Sequence, residues 1–187
     1  MSDPNNINLS LMKGKKGVIM GVANDHSIAW GIAQSLSAAG ADLAFSYQSE
    51  TLKKRVEPLA KMLGSDLVYP CDVESSENIE MFFNSIQNKW ESIDFLVHAI
   101  AFADKNELKG PYYNTTKENF IKTMLISCFS FTEVVKEAQK IMISGGSIIT
   151  LTFDGSNRVM PNYNVMGIAK AGLESSVRYL AADFGTR

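Results

Sequence analysis

The stretch Val18-Ile-Met-Gly-Val-Ala-Asn-Asp-His-Ser-Ile-Ala-Trp-Gly31 decides the fold of this 187-residue chain. It predicts a short buried strand at 18–20, a tight turn from Gly21, and a helix that Ser27 caps. Such a turn suits phosphate, because glycine lets the backbone approach an anion at a helix N-terminus. An ordinary strand–helix turn remains the alternative, since the spacing is not a plain Gly-x-Gly-x-x-Gly. His26 has no partner cluster, so we expect an exposed loop residue there.

Beyond this stretch, strand patterns alternate with helix patterns along the whole chain. Further strands are predicted at 42–47, 66–69, 94–99 and 147–152. Helices are predicted up to residue 39, at 50–63, 79–90 and 117–143, and from Pro161 onward. This alternation predicts an α/β fold, a Rossmann-like, doubly wound parallel sheet in a single domain, 1–187. No strand pattern follows the last helix, so we expect the C-terminal strands of the full fold to be missing and the physiological chain to be longer.

Composition excludes several function classes. A net charge of −2 and a pI near 5.7 give no reason to expect nucleic acid or an anionic membrane as partner. No apolar run is long enough to cross a bilayer, and residues 1–7 do not resemble a signal peptide. Cys71 and Cys128 stand apart from each other and from any histidine cluster, which predicts small buried residues and no metal site. We therefore expect a cytoplasmic protein.

Polar residues follow the second and third strands, where a nucleotide would bind. Gln48 is neutral and has no arginine beside it, which favours NAD over NADP, because a 2′-phosphate would lack a charged partner. The basic residues 53–55 are expected on the exposed face of the next helix. Asp72 is placed to accept from an adenine amino group, or alternatively to cap a turn. After the fourth strand, small residues at 98–102 either admit a flat ring or end a tightly packed strand.

Tyr163 and Lys170 stand seven residues apart in the stretch Pro161-Asn-Tyr-Asn-Val-Met-Gly-Ile-Ala-Lys170. On one helix this spacing places both side chains on the same side, about 10 Å apart along the axis. A phenol that meets a substrate oxygen and an ammonium that holds a cofactor would fit this arrangement. A nearby cation would also favour the more negative forms of the phenol. A capping tyrosine and a solvated lysine are the alternative.

Together these motifs resemble the bacterial-type, NADH-dependent enoyl-acyl-carrier-protein reductases, divergent members of the short-chain dehydrogenase/reductase superfamily. The resemblance rests on Gly21-x5-Ser27-x-Ala29-x-Gly31, Cys71-Asp-Val73, Val97-His-Ala-Ile-Ala-Phe102 and Tyr163-x6-Lys170. It implies an oxidoreductase of fatty acid biosynthesis that reduces the trans-2 double bond of enoyl thioesters on acyl carrier protein. Hydride addition to the β-carbon would leave an enolate oxygen that needs stabilisation. The resemblance also implies a homotetramer.

The resemblance further implies roles for individual residues. Tyr163 would hydrogen-bond the enolate oxygen, and Lys170 would hold the nicotinamide ribose. The other residues implied to contact the cofactor are Gly21, Ser27, Ile28, Gln48, Asp72, Val73 and Ile100. Those implied to border the acyl chain are Ala101, Phe102 and Ala103, with Tyr163.

Two features keep other functions open. Phe153 stands where the family commonly has a second tyrosine, ten residues before Tyr163, so a hydroxyl is lost there. This motivates a cofactor-binding protein without turnover as one alternative. A superfamily member that reduces a keto group is the other, although Tyr-x6-Lys and Thr150, in place of the usual serine, argue against it.

Overall fold

A computed structural model of the chain describes residues 10–186. The described residues form two compact units, 10–99 with 137–149 and 100–136 with 150–186. The single domain 1–187 and the further C-terminal strands stay predictions. The expected absence of a signal peptide concerns residues 1–7, which lie outside the described part of the chain.

The first unit is built on a five-stranded sheet in the order β3-β2-β1-β4-β5. β1 pairs in parallel with both β2 and β4, and β2 pairs in parallel with β3. The chain therefore moves outward from β1 in one direction and then crosses to its other side, which confirms the doubly wound prediction. The strands are Lys16–Met20, Asp42–Tyr47, Val68–Pro70, Phe95–His98 and Ser147–Thr150.

Six α-helices lie in the described residues, and most begin near the predicted positions. They are α1 Ile28–Ala38, α2 Glu50–Met62, α3 Ser76–Gln87, α4 Lys117–Met124, α5 Ser130–Ala138 and α6 Val165–Phe184. α3 starts three residues early because the Ser75 hydroxyl accepts from the Asn78 amide at 3.2 Å and caps it.

The predicted helix 117–143 is wrong in two respects. A π-helical segment, Leu125–Phe129, separates α4 from α5, and α5 ends at Ala138 rather than at residue 143. Periodicity did not reveal the π segment, because it is a single wide turn inside an otherwise α-helical stretch. The turns after α5 lead to Gly145 and Gly146, whose φ angles of 74° and 155° favour glycine.

The core of the first unit lies on both faces of the sheet. On one face, the strand side chains that point inward are Ile19, Leu43, Phe45, Tyr47, Phe95 and Val97. They pack against Trp30 and Ala33 of α1 and against Val56 and Ala60 of α2. The opposite side chains, Val18, Met20, Ala44 and Leu96, are also fully buried. Burial on both faces is the usual state of a parallel sheet and explains its continuous apolar strands.

Asp94 ties the start of β1 to the start of β4. Its Oδ1 accepts from Lys15 Nζ at 2.7 Å and its Oδ2 accepts from the Lys16 amide at 2.9 Å. The Lys15 hydrogen bond, with the Lys16 amide second, holds the pKa of the Asp94 carboxyl below its ordinary value of 3.8.

We expect Asp94→Asn to lower the free energy of unfolding by about 1 kcal/mol at neutral pH, because two hydrogen bonds lose their charged acceptor. A lowered folded-state pKa means that this contribution is present above the unfolded pKa and is lost as the pH falls through the folded pKa. Denaturant unfolding of both proteins across the acidic range measures the difference. The exposed Asp66→Asn is the matched control, and a constant difference down to the lowest pH would contradict this account.

Candidate active site

The turn after β1 requires glycine at its first position. Gly21 has a φ of +102°, and a Cβ there would lie 2.1 Å from the Ala99 carbonyl oxygen. Ala99 follows β4, so this close approach marks the point where the order of the sheet reverses. A larger residue would need both a strained backbone and a displaced strand end, which explains why a glycine stands here.

Ser27 occupies the N-cap position of α1, but its hydroxyl does not cap the helix as predicted. The Oγ instead accepts from the amides of Ala23 and Asn24, at 3.0 and 3.1 Å, and so closes the turn on itself. The N-terminus of α1 therefore begins at Ile28 without a side-chain cap, and the Ile28 side chain is exposed. His26 is exposed in this turn, as predicted.

The carboxyl ends of β2 and β3 bring Gln48 and Asp72 together. The Gln48 amide nitrogen donates to Asp72 Oδ2 at 3.3 Å, and Asp72 Oδ1 accepts from the Glu74 amide at 3.1 Å. One carboxylate oxygen of Asp72 thus stabilises the turn at 72–74, and the other accepts from Gln48. Val73 beside it is buried, and Lys53 contacts Glu50 and Glu57 on α2.

Tyr163 belongs to the second unit and lies before its helix, not in it. α6 begins at Val165, so the prediction of a helix opening at Pro161 is wrong. Asn162 and Asn164 have φ angles of 59° and 39°, which no helix residue adopts. Asparagine tolerates this region better than most residues, and that explains why Tyr163 is flanked by two of them.

The Tyr163 ring is half-buried against the loop that follows β5. The Phe153 ring lies edge-on to it, with centroids 4.9 Å apart and planes at 60°. A Cβ on Gly155 would lie 2.4 Å from the Tyr163 ring, so only glycine fits beneath it. Burial raises the pKa of the Tyr163 phenol above its ordinary value of 10.0. The phenol is therefore a hydrogen-bond donor at neutral pH, because burial rather than a nearby cation sets the direction of its pKa shift.

Lys170 is a buried amine on the second turn of α6. Only 6% of its surface is exposed, and its Nζ donates to the Leu151 carbonyl oxygen at 2.7 Å. Burial lowers its pKa below the ordinary value of 10.5. A buried amine is costly unless it is hydrogen-bonded, as Lys170 is. Its burial shows that the alternative of a solvated lysine is wrong.

A cavity of about 380 Å³ opens beside Tyr163 within the second unit. Its lining is mainly apolar and comes largely from the loop after β5 and the first turns of α6, with Tyr112 from the turn at 112–114. Among the other lining residues are Val159, Met160, Tyr163, Ile168 and Ala171. The predicted acyl-chain residues Ala101, Phe102 and Ala103 do not line it. Phe102 is held elsewhere in this unit, since Ser127 of the π segment accepts from its amide and donates to its carbonyl.

A family model described as enoyl-(acyl carrier protein) reductase matches residues 21–187. The match includes Gly21, Tyr163 and Lys170. The chain belongs to this family.

Relatives of this chain resemble it in both sequence and structure. An NADH enoyl-[acyl-carrier-protein] reductase of Rhizobium meliloti is 62% identical over 95% of this chain and 66% of the relative. FabI of Candidatus Liberibacter asiaticus has a TM-score of 0.94 at 59% identity, covering 95% of this chain and 69% of that structure. An Anaplasma phagocytophilum reductase in complex with NAD has a TM-score of 0.91 at 55% identity, covering 94% and 67%. The chain spans about two thirds of the length of these relatives.

Two further residues, Asn164 and Glu174, support the Tyr163 segment, and no sequence motif pointed to them. Asn164 Nδ2 donates to the carbonyl oxygens of Glu107 and Gly110, at 3.2 and 3.1 Å, and joins the Tyr163 segment to the loop at 104–110. Glu174 accepts from Thr152 and Ser156. Only the spacing of Glu174, four residues after Lys170, could have drawn attention to it.

Three further features of residues 10–186 concern metal ligands, membrane-spanning helices and the two cysteines. No group of three or more histidine, cysteine, aspartate or glutamate side chains there could hold a metal ion. No helix in that range is long and apolar enough to cross a membrane. Cys71 and Cys128 are free and buried, as predicted, and burial raises the pKa of the Cys71 thiol to about 12.

Proposed function

We propose that the protein is an NADH-dependent enoyl-acyl-carrier-protein reductase of fatty acid biosynthesis, which reduces the trans-2 double bond of enoyl thioesters. The observation that carries this proposal is that one unit contains both the half-buried, protonated phenol of Tyr163 and the buried amine of Lys170. Family membership and NADH-dependent relatives at up to 62% identity support it. A cytoplasmic homotetramer is part of the proposal and follows from the resemblance.

The residues of the first unit fit a dinucleotide. The N-terminus of α1 carries no side-chain cap, which leaves its first amides for an anion such as a pyrophosphate. Gly21, Ser27 and Ile28 would hold that part of the cofactor. Gln48 would meet the adenosine side, and Asp72 and Val73 the adenine.

The residues of the second unit would serve the reacting groups. When bound, NADH would supply a hydride to the β-carbon, and a proton taken up from solvent at the α-carbon would complete the reduction. Tyr163 would donate its phenolic hydrogen bond to the thioester oxygen, on which negative charge develops. Lys170 would donate to the nicotinamide ribose, and Ile100 would lie against the cofactor.

The acyl chain would be held by apolar surface of the second unit. The cavity beside Tyr163 has the mainly apolar lining that such a chain needs. We retain Ala101, Phe102 and Ala103 as proposed substrate residues, and add Met160 and Ile168 from the cavity. Phe153 packs its ring on Tyr163 and has no hydroxyl to contact the substrate. Any such contact would come from water.

We expect kcat/KM to be at least about 10-fold higher with NADH than with NADPH, because the neutral Gln48 offers no charged partner to a 2′-phosphate. Steady-state rates with both cofactors measure the ratio. Lys53→Ala is the control, since Lys53 already contacts Glu50 and Glu57 and its loss should leave the ratio unchanged. A preference for NADPH that disappears in Lys53→Ala would show that Lys53 reaches back to the phosphate.

The proposed function is tested by incubating the purified full chain with NADH and a trans-2-enoyl thioester while following the nicotinamide absorbance. Rapid oxidation of NADH with the enoyl thioester, and none with a 3-keto thioester, is the expected result. Turnover of the keto substrate alone would favour a keto reductase. NADH binding without turnover of either substrate would favour a non-catalytic binding protein.

A further inference from the structure

Glu174 lies one helical turn after Lys170 on α6, on the side of the helix that meets the loop at 151–156. Its Oε1 accepts two hydrogen bonds, from Thr152 Oγ1 and from Ser156 Oγ, each at 2.5 Å. These two residues flank Phe153. One carboxylate oxygen therefore closes the loop at both of its ends.

This loop forms the surface against which the Tyr163 ring rests. Phe153 contacts the ring edge-on, and Gly155 lies directly against it. A Cβ on Gly167 of α6 would lie 2.7 Å from the Gly155 carbonyl oxygen, so the loop is also pressed onto the helix. A shift of the loop would therefore move the ring or open space around it.

From these contacts we propose that Glu174 is a positioning residue, which holds the loop at 152–156 so that Phe153 and Gly155 keep the Tyr163 phenol in its half-buried place. The proposal rests on the function given above and adds a residue that acts through others rather than on the substrate. Its charge is suited to the task, because an ionised carboxylate only accepts hydrogen bonds and both hydroxyls must then donate to it. The hydrogen bonds from Ser156 and Thr152 lower the pKa of Glu174, so it is ionised at neutral pH.

Lys170 and Glu174 hold neighbouring parts of the same loop from successive turns of α6. Lys170 donates to the Leu151 carbonyl, and Glu174 accepts from the next residue, Thr152. In the proposed function Lys170 also donates to a ribose, which draws part of its donor capacity away from Leu151. The proposed function gives Glu174 no contact with the cofactor, so its hydrogen bonds to Thr152 and Ser156 would hold the loop in place during the reaction.

Substitutions at 174 separate the acceptor from its charge. Glu174→Ala removes the acceptor and is expected to lower kcat about 10-fold, with KM for NADH changed less than about 3-fold. Glu174→Gln keeps one acceptor oxygen in place and is expected to stay within about 3-fold of the wild type. Adding Ser156→Ala to Glu174→Ala should cost little more, since both changes remove the same contact.

A second readout does not depend on turnover. With 3-fluorotyrosine placed at position 163, fluorine NMR reports the titration of that phenol. The raised pKa of Tyr163 comes from burial, so loosening the loop in Glu174→Ala should admit water and move the titration to lower pH. Glu174→Gln and the exposed control Asp183→Asn, on the same helix, should titrate as the wild type does.

The outcomes distinguish this proposal from the function on which it rests. A shifted titration in Glu174→Ala supports the positioning role even where no enoyl thioester is turned over, a result that would overturn only the proposed function. An unchanged titration and an unchanged kcat in Glu174→Ala would overturn the positioning role. Should Glu174→Ala fail to fold, the double variant Thr152→Val with Ser156→Ala removes both donors, and wild-type behaviour in it would equally overturn the proposal.

Discussion

Tyr163→Phe is expected to lower kcat for the enoyl thioester by about 100-fold, with the Kd for NADH nearly unchanged. The phenol would contribute a hydrogen bond that strengthens only as charge develops on the thioester oxygen, so its loss acts on the transition state rather than on binding. Its raised pKa means that the donor persists well into the alkaline range. Steady-state kinetics together with an NADH titration measures both quantities.

The structure offers a matched control for this variant. Tyr179 lies on the same unit, is 75% exposed and is far along α6, so Tyr179→Phe should leave kcat unchanged. The Phe153 ring lies edge-on to the Tyr163 ring, a contact that Tyr163→Phe keeps. An unchanged kcat in Tyr163→Phe would remove the phenol from the reaction and leave it a packing role.

Lys170→Ala is expected to weaken NADH binding by about 10- to 100-fold, which corresponds to the loss of one hydrogen bond from a charged donor. The contact to the ribose would exist before the reaction, so the Kd for NADH is expected to rise and kcat is expected to fall. Lys170 is suited to such a role because it is buried and already held by the Leu151 carbonyl. An NADH fluorescence titration of both proteins measures the change.

Stability must be followed in parallel, since Lys170→Ala also leaves the Leu151 carbonyl without its donor. Lys170→Met fills the same space without charge and should lose NADH affinity to a similar extent. Lys117→Ala, at the exposed start of α4, is the surface control. Full NADH affinity in a folded Lys170→Met protein would show that the amine serves the loop alone.

The order of elements could be predicted from the sequence because each strand is apolar and each helix has a recognisable beginning or end. Ser49 caps α2 through a side-chain bond to the Leu52 amide, and Gly40 follows α1 with a φ of 96°. These are local interactions, so the residues that make them are neighbours in the sequence.

The same reasoning failed at Ser27 and at Tyr163, where two local preferences compete. The Ser27 hydroxyl can accept from an amide of α1 or from amides of the turn before it, and it accepts from those of Ala23 and Asn24. Pro161 favours a helix start, but Asn162 and Asn164 adopt positive φ and delay it to Val165. Periodicity does not indicate which preference prevails, because both sets of residues suit either outcome.

The sequence by itself determined the parallel doubly wound sheet, the glycine at its turning point, and the two side chains on which the proposed chemistry rests. Apolar periodicity carries the sheet and its turn locally, whereas the resemblance to a family, and not spacing alone, singled out Tyr163 and Lys170. Only the tertiary structure decided that Lys170 is buried on the Leu151 carbonyl, that Tyr163 precedes its helix, and that Glu174 holds the loop beneath it. The Lys170 and Glu174 contacts join residues 19 and 22 positions apart, which no local pattern encodes. The late start of α6 follows from the positive φ angles of Asn162 and Asn164, which override the helix signal of Pro161.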